Sequence, residues 1–351
     1  MPHVASIELT PGRMVGPGFP CYLVAEVGQN HNGNPALADQ LIERLSASGI
    51  DAVKFCKRHL ESDLTEEFSR QAYDSPNSFA PTYGEHRQAL ELEEDDHGRL
   101  QQRAEAAELT YFSTACDHES VELLERLQVP CYKVASRDLT NLPLIEHIAR
   151  TGKPVILSSG MDGMSEIADA LDTVRAHHNR VILLQCTSAY PTQDEDINLL
   201  AMETLRQEFA CPVGLSDHSL GTAIPLAAAA LGACVIEKHV TMNRKLRGSD
   251  HICSLEPEEF TAMAQAIRRI ERALGDGVKR VVPSVDTARQ KLGRTLVAKF
   301  RIPRGAQLTE AMLCLKTAGG GIPWHARHEL IGRTVRREIP ADSRLDCADV
   351  E

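Results

Sequence analysis

Residues 235–240 read VIEKHV, and they follow the almost wholly apolar run LAAAALGAC at 226–234. A strand that is covered on both faces is continuously hydrophobic, so this stretch predicts a buried strand. Its end nevertheless carries three ionisable side chains, which are costly to bury unless they have partners or a ligand. Either the strand reaches solvent there or its end lines a site, and the ends of the other strands decide between these explanations.

Short apolar or β-branched runs alternate with amphipathic helical patterns along most of the chain. We count eight strands and eight helices in about 275 residues, which predicts an α/β protein with a closed (β/α)₈ TIM barrel. A doubly wound open sheet is the alternative, but eight evenly spaced units favour closure. The predicted strands are LVAEVG (23–28), AVKF (52–55), YFSTA (111–115), CYKVAS (131–136), PVILSS (154–159), VILLQC (181–186), PVGLSD (212–217) and CVIEKHV (234–240).

Two segments depart from this alternation. About 35 residues separate the second strand from the next barrel helix, and loops of that length are usually lids or binding loops. From about residue 286 onward the strands are short, the turns carry Pro and Gly, and no long helix is predicted. We therefore predict a barrel domain at 1–283, a linker near 276–290, and a small domain at 284–351. That small domain should dock against another surface, because a module of this size has little core of its own.

The bulk composition is that of an ordinary globular protein. Of the 351 residues, 42% are hydrophobic and 25% are charged, and no apolar run is long enough to cross a bilayer. The N-terminus lacks signal-peptide features, and the formal net charge of −11 argues against a nucleic-acid-binding surface. Ten scattered cysteines without a C-x-x-C pair indicate reduced core thiols. We therefore expect a cytoplasmic protein with no membrane or nucleic-acid partner.

All eight predicted strands end in polar groups. In a (β/α)₈ barrel the carboxyl ends of the strands form the catalytic face, so these groups should converge on one rim. One polar strand end is unremarkable, whereas eight are difficult to explain by solvation alone. The cationic and hydroxyl-bearing groups form a set suited to a phosphate, or to a phosphate together with a carboxylate. They are Lys54, Thr114, Lys133, Ser136, Ser158, Ser188 and Ser216.

His218 and His239 end neighbouring strands, so their imidazoles can meet at one metal ion. Two histidines completed by oxygen ligands suit Mn²⁺, Mg²⁺ or a similar divalent ion, although ordinary hydrogen-bonded histidines are the alternative. Glu26 and Asp250 remain for acid–base chemistry or for recognition of hydroxyl groups. Lys54 has a second possible role, because a strand-end lysine forms a Schiff base in class I aldolases.

Many stretches of the chain resemble the motifs of the sialic acid (N-acetylneuraminate) synthases, in order and at the family's spacing. The segment KLGRTLVAKFRIPRGAQLT resembles their C-terminal antifreeze-like (SAF) domain, which has a β-clip fold. The resemblance covers the chain from about residue 20 to residue 350. Its barrel motifs are VAEVGQNHNG, DAVKF, TYGEHRQALEL, YKVASRDLTNLPLI, GKPVILSSGM, LLQCTSAYP, VGLSDHSLG, VIEKHVT and RGSDHICSLEP.

The resemblance implies a homodimer in which each antifreeze-like domain caps the barrel mouth of the other subunit. It also implies that phosphoenolpyruvate condenses with the open-chain aldehyde of an amino sugar, giving a nine-carbon 2-keto acid and releasing phosphate by C–O cleavage. The lysines and hydroxyls named above would hold phosphoenolpyruvate. Glu26, Lys54 and the two histidines would be catalytic, with His218 and His239 binding a divalent metal, typically Mn²⁺, or else Mg²⁺ or Co²⁺. Residues expected on the acceptor side are Tyr190, Asp250, Asp138, Arg137, Cys56 and Thr317.

Three positions depart from the family pattern, and all three concern the acceptor. Cys56 replaces a glutamine, Arg137 replaces a glycine, and Thr317 stands where many bacterial members have an arginine in the capping domain. Arg137 either recognises a phosphate or carboxylate on the sugar or pairs with a surface acid. The acceptor therefore stays open. The candidates are N-acetylmannosamine, its 6-phosphate, mannose without the acetamido group, and the diacetamido precursors of legionaminic or pseudaminic acid.

Other functions are weaker alternatives. A lysine-dependent aldolase would use Lys54, but no step of the implied reaction needs a Schiff base. An inactive sugar-binding barrel gives no reason to retain the whole catalytic set, and an ice-binding role rests only on the name of the antifreeze-like domain. The charged end of VIEKHV then has an explanation: His239 holds the metal, and Glu237 and Lys238 belong to the polar network around it.

Overall fold

The computed structural model describes residues 4–351, which form two compact units that divide between Gly275 and Asp276. Met1–His3, the start of the segment in which no signal peptide is predicted, lie outside the described residues. The predicted domain boundary between 283 and 284 falls slightly downstream of this division and stays a prediction. Within residues 4–351, no helix has the length and apolarity that a bilayer crossing requires.

The first unit contains an N-terminal antiparallel hairpin followed by eight parallel strands that close into a barrel. The hairpin strands are β1 (Ile7–Thr10) and β2 (Arg13–Val15). The barrel strands are β3 (Tyr22–Gly28), β4 (Ala52–Lys57), β5 (Thr110–Ala115), β6 (Tyr132–Val134), β7 (Val155–Ser158), β8 (Val181–Cys186), β9 (Val213–Asp217) and β10 (Val235–His239). Each strand pairs with the next along the chain, and β10 pairs with β3 to close the barrel.

These strands confirm the predicted (β/α)₈ barrel and exclude the open sheet, because an open sheet would leave two edge strands unpaired. Eight helices occupy the predicted positions between the strands and after the last one, and four short helices lie within the connections. The helices are α1 (Pro35–Leu45), α2 (Leu60–Asp63), α3 (Glu66–Ser69), α4 (Tyr83–Gln88), α5 (Glu94–Ala106), α6 (His118–Arg126), α7 (Leu142–Arg150), α8 (Met164–Arg175), α9 (Asp194–Ile197), α10 (Ala201–Phe209), α11 (Ala223–Ala230) and α12 (Pro257–Leu274).

The hairpin of β1 and β2 is a feature that the sequence analysis does not predict. Its apolar side chains, Ile7, Leu9 and Val15, share a buried cluster with residues that open barrel strands, including Tyr22 and Val235. The hairpin therefore packs at the amino ends of the strands, opposite the face that carries the polar strand ends. It contributes to the barrel's closed core rather than to a site.

The long segment after β4 is ordered by short helices. Helices α2, α3 and α4 lie in it, and a bridge between Ala72 and Thr82 joins its two halves. Thr82 and Glu85 form a capping box at the start of α4, which satisfies backbone N–H groups there. Because the segment starts at the carboxyl end of β4, its helices stand on the face where the strand ends converge.

The second unit has a core of its own. Strands β11 (Arg294–Ala298) and β12 (Leu313–Thr317) pair antiparallel, preceded by helix α13 (Asp286–Leu292). Ten aliphatic residues between Leu296 and Val350 form its buried cluster. Short 3₁₀ helices occur in both units, at Ser136–Asp138, His251–Cys253, Pro283–Val285, Glu310–Met312, Trp324–Glu329 and Cys347–Asp349.

Candidate active site

A cavity of about 380 Å³ opens at the carboxyl ends of the barrel strands. A volume of this size suits a small-molecule ligand. Its walls bring together residues from every barrel strand or the loop that follows it, as expected for the catalytic face of this fold. The predicted site residues that line it are Glu26, Lys54, Cys56, Thr114, Lys133, Ser136, Arg137, Ser158, Ser188, Tyr190, Ser216, His218, His239 and Asp250.

Two predicted acceptor-side residues are placed differently. Asp138 does not line the cavity, because it closes the 3₁₀ turn after β6 and its carboxylate faces Arg137, with Oδ2 3.2 Å from the arginine Nε. In this position Asp138 pairs with a residue that does line the cavity, and its expected contact with the acceptor stays a prediction. Thr317 ends β12 of the second unit, so its role stays a prediction.

The inner part of the cavity holds two lysines and two carboxylates. Lys54 Nζ lies 2.8 Å from Glu26 Oε2 and 3.7 Å from Glu237 Oε1, and Lys133 Nζ lies 3.8 Å from the same Glu237 oxygen. All four side chains are buried. Two cations therefore share one loosely held carboxylate oxygen, at distances longer than those of a closed charged hydrogen bond. Lys54 also donates to Thr114 and Lys133 to the Val134 carbonyl oxygen, so each ammonium group keeps at least one of its three donors for an anionic ligand.

Burial and these neighbours shift the pKa values of the inner network. Burial raises the pKa of Glu26 to about 7, although Lys54 opposes the shift. Burial also opposes the charged form of Lys54, but Glu237 and Glu26 together raise the pKa of Lys54 above its ordinary value. Burial lowers the pKa of Lys133, with Glu237 offsetting part of the effect. Glu26 can therefore gain or lose a proton near neutral pH while Lys54 stays charged.

Hydroxyl groups surround the two lysines. Lys54 Nζ donates to Thr114 Oγ1 at 3.0 Å, Ser216 donates to Glu237 Oε1 at 3.2 Å, and the Gly160 N–H donates to Ser136 Oγ at 2.8 Å. The Ser158 hydroxyl is buried and has no hydrogen-bond partner within residues 4–351. A buried polar group without a partner is costly unless a ligand or water satisfies it. The lysines and hydroxyls therefore form a lining that matches a phosphate with a carboxylate.

The two predicted metal ligands face each other across the β9–β10 pair, with imidazole centroids 5.3 Å apart. His218 Nδ1 lies 2.9 Å from the Thr187 carbonyl oxygen. A carbonyl only accepts, so Nδ1 carries the hydrogen and Nε2 keeps its lone pair for a ligand. Burial lowers the pKa of His239 to about 3, and its Nδ1 is buried with no hydrogen-bond partner in the described chain. Burial also disfavours the charge on His218, but Cys186 and Thr187 raise its pKa above the ordinary value.

This histidine pair fits a divalent ion that takes its other ligands from oxygen. Asp250 Oδ2 lies 3.9 Å from His239 Nδ1, and Tyr190 packs on both imidazoles, with centroids 4.1 Å from His218 and 5.9 Å from His239. Within residues 4–351 no cluster of three or more metal-binding side chains occurs. Water and substrate oxygens would therefore complete the coordination, which suits Mn²⁺ or Mg²⁺ better than a closed structural site.

Lys238 departs from the prediction that it joins the polar network around the metal. Successive strand residues point to opposite faces, so Glu237 and His239 face the cavity and Lys238 faces away. Lys238 Nζ lies 2.5 Å from Asp217 Oδ2 and also donates to the Ser219 carbonyl oxygen. Glu237 does join the cavity network, but beside the lysines.

Sequence reasoning missed two arginines that line the cavity, Arg58 and Arg87. Arg58 follows Lys54 and Cys56 at a spacing of two, one residue past the end of β4, and this alternation could have identified it. Arg87 comes from α4 in the long segment after β4, where no periodic signal fixes its direction. Arg137 shows both features that the sequence left as alternatives, because it lines the cavity and also pairs with Asp63 through two nitrogens, at 2.7 and 3.3 Å.

Known proteins resemble this chain over most of its length. The NeuB family model matches residues 41–279. N-acetylneuraminate-9-phosphate synthase of Homo sapiens is 38% identical over 341 residues, covering 97% of this chain and 95% of that protein. N,N'-diacetyllegionaminic acid synthase of Legionella pneumophila is 36% identical over 342 residues, covering 96% of each.

A solved structure is also similar. The N-acetylneuraminic acid (sialic acid) synthetase of Leptospira borgpetersenii superposes with a TM-score of 0.70 at 33% identity, covering 81% of this chain and 95% of that one. The family model spans more than half of the chain, and the curated relatives align over nearly all of it. This chain therefore belongs to the NeuB family, as the motifs at its strand ends predict.

Proposed function

We propose that this protein condenses phosphoenolpyruvate with the open-chain aldehyde of a hexosamine-type sugar. The product is a nine-carbon 2-keto-3-deoxy sugar acid, and phosphate is released by cleavage of its C–O bond. The observation that carries the proposal is the pair Lys54 and Lys133, buried around one carboxylate oxygen beside the histidine pair. Family membership supports the same reaction class, since the related proteins are synthases of sialic and legionaminic acids.

Phosphoenolpyruvate is proposed to occupy the inner part of the cavity. Its phosphate and carboxylate would accept from Lys54 and Lys133, and the unpartnered Ser158 hydroxyl would donate to it. The lysine charges then lie where negative charge grows as phosphate departs, and stabilisation of such charge is usually the largest catalytic contribution. Thr114, already hydrogen-bonded to Lys54, fixes the direction of that ammonium group.

His218 and His239 are proposed to hold a divalent ion, which we propose is Mn²⁺, with Mg²⁺ or Co²⁺ as substitutes. When bound, such an ion acts as a Lewis acid on the aldehyde oxygen. Tyr190 packs on both imidazoles and keeps their rings oriented. Asp250, on the same wall, is proposed to accept from acceptor hydroxyl groups.

Glu26 is proposed to move the proton in the second half of the reaction. Carbon 3 of phosphoenolpyruvate attacks the aldehyde carbon, which leaves carbon 2 electron-poor, and water then adds at carbon 2. A carboxyl with a pKa of about 7 can accept the proton of that water at neutral pH. Phosphate then leaves from the tetrahedral carbon 2, and the ketone forms. The atoms balance as phosphoenolpyruvate, aldehyde and water on one side and the keto acid and phosphate on the other.

A Schiff-base aldolase is disfavoured by the state of Lys54. A lysine attacks a carbonyl only in its neutral form. Lys54 is ion-paired with Glu26 and its pKa lies above the ordinary value, so the charged form dominates. Borohydride treatment in the presence of pyruvate should therefore leave activity intact.

We further propose that the enzyme acts in the cytoplasm as a homodimer with exchanged capping domains. In that assembly Thr317 of the second unit would reach the acceptor at the partner's barrel mouth. Sedimentation of the full chain and cross-linking through a cysteine introduced at Thr317 would test this arrangement. A monomer with full activity would contradict it.

The reaction is tested by phosphate release from phosphoenolpyruvate with Mn²⁺ and a panel of acceptors. The panel holds mannose, N-acetylmannosamine, their 6-phosphates and diacetamido hexoses, and mass spectrometry identifies the product. In H₂¹⁸O the label should enter the keto acid and not the phosphate, because the C–O bond breaks. Label in phosphate would contradict the proposed chemistry, and no turnover with any acceptor would contradict the proposed function.

A further inference from the structure

Three arginines line the outer part of the cavity and have no role in the proposed chemistry: Arg58, Arg87 and Arg137. They lie in different segments: just after β4, in α4, and in the turn after β6. Three guanidinium groups lining one cavity repel each other and are stable only with counter-charges. Which of them lack a counter-charge shows where the cavity can accept an anion.

Arg58 is the most buried of the three. Its side chain is 5% exposed and, one residue beyond the end of β4, lines the same cavity as Lys54 and Cys56. At roughly 3.3 Å per strand residue, position 58 lies up to about 13 Å along the chain from position 54 and beyond the end of β4, so Arg58 lies outside the inner lysines. Its Nε lies 3.0 Å from Glu91 Oε1, whereas its Nη1 is buried and has no hydrogen-bond partner within residues 4–351.

Glu91 does not neutralise Arg58 alone. Lys57 Nζ lies 3.6 Å from the other carboxylate oxygen of Glu91, so two cations share one carboxylate. One positive charge in this group is therefore left without a counter-charge.

Arg87 has no acidic partner in the described chain. Its Nη1 donates to the neutral side chain of Gln29, with 2.7 Å between the nitrogen and Oε1, and its Nε is buried without a hydrogen bond. Burial lowers the pKa of Arg87, and the nearby charges of Arg58 and Arg137 lower it further. An anion between these groups would relieve both the repulsion and the missing hydrogen bonds.

Arg137 differs from both. It forms a two-nitrogen pair with Asp63 and a further ion pair with Asp138, so its charge is fully matched within the protein. Arg137 therefore ties α2 to the turn after β6 and acts as part of the wall. The free positive charge lies at Arg58 and Arg87.

We propose that Arg58 and Arg87 form a second anion subsite in the cavity, which binds an anionic group at the far end of the acceptor sugar. The inference rests on the proposed function, because the inner lysines are taken to hold phosphoenolpyruvate. The shared ligand chemistry is a phosphate ester or a carboxylate on the carbon most distant from the aldehyde. Arginine suits both, since its planar donors match two oxygens of either group. The subsite makes Arg58 and Arg87 specificity-determining residues.

A neutral acceptor would leave the two arginines desolvated and unpaired, and this penalty produces the discrimination. A site built to hydrogen-bond a group rejects an analogue that lacks it far more strongly than an apolar pocket does. We expect the wild-type enzyme to prefer the anionic acceptor by at least about tenfold in kcat/KM, on the basis of one charged hydrogen bond.

The test compares N-acetylmannosamine, its 6-phosphate and the corresponding C6 carboxylate as acceptors for Arg87→Gln and Arg58→Gln. Each variant should lower the ratio of kcat/KM for the anionic over the neutral acceptor by roughly tenfold to a hundredfold. The KM for phosphoenolpyruvate should not follow that ratio. A preference for the phosphate or for the carboxylate identifies which anion the subsite takes. Arg126→Gln is the matched control, because Arg126 is an exposed arginine paired with Glu94 away from the cavity.

Two results would overturn the subsite: a wild-type enzyme with no preference for either anionic acceptor, or an Arg87→Gln variant that loses rate equally on all three. Arg58→Gln leaves Glu91 with one cation fewer and this variant can misfold. In that case the Arg87→Gln variant alone decides the test. Calorimetric titration of the phosphoenolpyruvate-loaded protein with N-acetylmannosamine 6-phosphate tests the anion subsite separately from the proposed reaction. If no acceptor turns over, the proposed function fails. Binding that Arg87→Gln abolishes would still support the subsite, and absence of binding would overturn it as well.

Discussion

The two faces of β10 carry buried charges that differ in how fully they are paired. On the outward face, Lys238 binds Asp217 and the Ser219 carbonyl, and Asp217 also accepts from the Ser219 backbone and hydroxyl, each at 3.0 Å. On the cavity face, Glu237 is shared by two lysines at 3.7 and 3.8 Å. His239, beside it, has a ring nitrogen without a partner in the described residues.

The degree of pairing separates buried charges that stabilise the barrel from buried charges that can bind a ligand. A buried pair that is fully hydrogen-bonded costs little to keep and much to break. A buried group with free donors or lone pairs lowers the stability of the folded state. Such groups cluster at functional sites, where a ligand can satisfy them. Neighbours in sequence, Glu237 to His239, therefore divide into two roles, and the division can be tested residue by residue.

The largest effect should come from His239→Ala on the cavity face. Loss of one of two protein ligands should remove metal binding and lower kcat/KM by about a thousandfold or more, since Lewis-acid stabilisation supplies several kcal/mol. Mn²⁺ binding followed by electron paramagnetic resonance, together with phosphate release, measures both losses. His118→Ala is the control, because His118 is exposed and stacks on His147 away from the cavity. A variant that still binds Mn²⁺ and turns over normally would contradict the ligand assignment.

The next effect is on stability and comes from the outward face. Lys238→Met leaves Asp217 buried without its cation, and breaking a buried pair in this way costs about 3–5 kcal/mol. Urea unfolding at neutral pH measures the loss.

The second variant in this cycle is Lys238→Met with Asp217→Asn, which removes both charges and should recover much of the lost stability. The KM for phosphoenolpyruvate should change far less in either variant than it does after changes on the cavity face. A stability loss that the double variant does not relieve would show that packing, and not charge pairing, dominates at Lys238.

On the cavity face, Lys133→Met should weaken phosphoenolpyruvate binding while changing the free energy of unfolding little. Burial already lowers the pKa of Lys133, so replacing its charge should cost the fold little. Loss of a charged donor should raise the KM for phosphoenolpyruvate roughly tenfold to a hundredfold. Steady-state kinetics and urea unfolding on the same preparation provide the comparison with Lys238→Met. A large stability loss with an unchanged KM would place Lys133 with the structural charges.

The alternation along β10 could have been used to predict most of this division. The sequence pattern identified the eight strands because their apolar runs are continuous, and it identified the strand-end residues because a barrel collects them on one face. The sequence analysis assigned Glu237, Lys238 and His239 to one polar network. It did not apply the two-residue period of a strand, by which Lys238 points to the outward face. The same period, continued one residue past the end of β4, assigns Arg58 to the cavity face that carries Lys54.

The positions of Asp138, Arg87 and the N-terminal hairpin could not be predicted from sequence periodicity. Asp138 follows a strand but sits in a 3₁₀ turn, where alternation no longer predicts direction. Arg87 reaches the cavity from α4, whose position depends on tertiary contacts of the segment after β4. The hairpin of β1 and β2 is two short strands whose burial depends on the barrel end that they cover. These positions follow from packing between distant segments, which local periodicity does not encode.

The smallest effect concerns a third kind of buried group, a neutral histidine that neither pairs charges nor faces the cavity. His97 is fully buried, and its Nδ1 lies 2.5 Å from the Tyr111 hydroxyl oxygen. Burial, with Lys57 and His31 nearby, lowers the pKa of His97 to about 3. In the unfolded chain a histidine has a pKa of about 6.5, so the unfolded state binds the proton first as pH falls.

His97 therefore contributes stability that is fully present above about pH 6.5 and is lost as pH falls toward 3. Between pH 7 and pH 5 the loss should be about 2 kcal/mol, and His97→Phe should remove that part of the pH dependence. Urea unfolding at the two pH values measures it. Tyr111→Phe is the matched control, because it deletes the same hydrogen bond and keeps the titrating ring. Equal pH dependence in wild type and His97→Phe would show that His97 is protonated in the folded protein. It would then belong with the charged groups that need a partner.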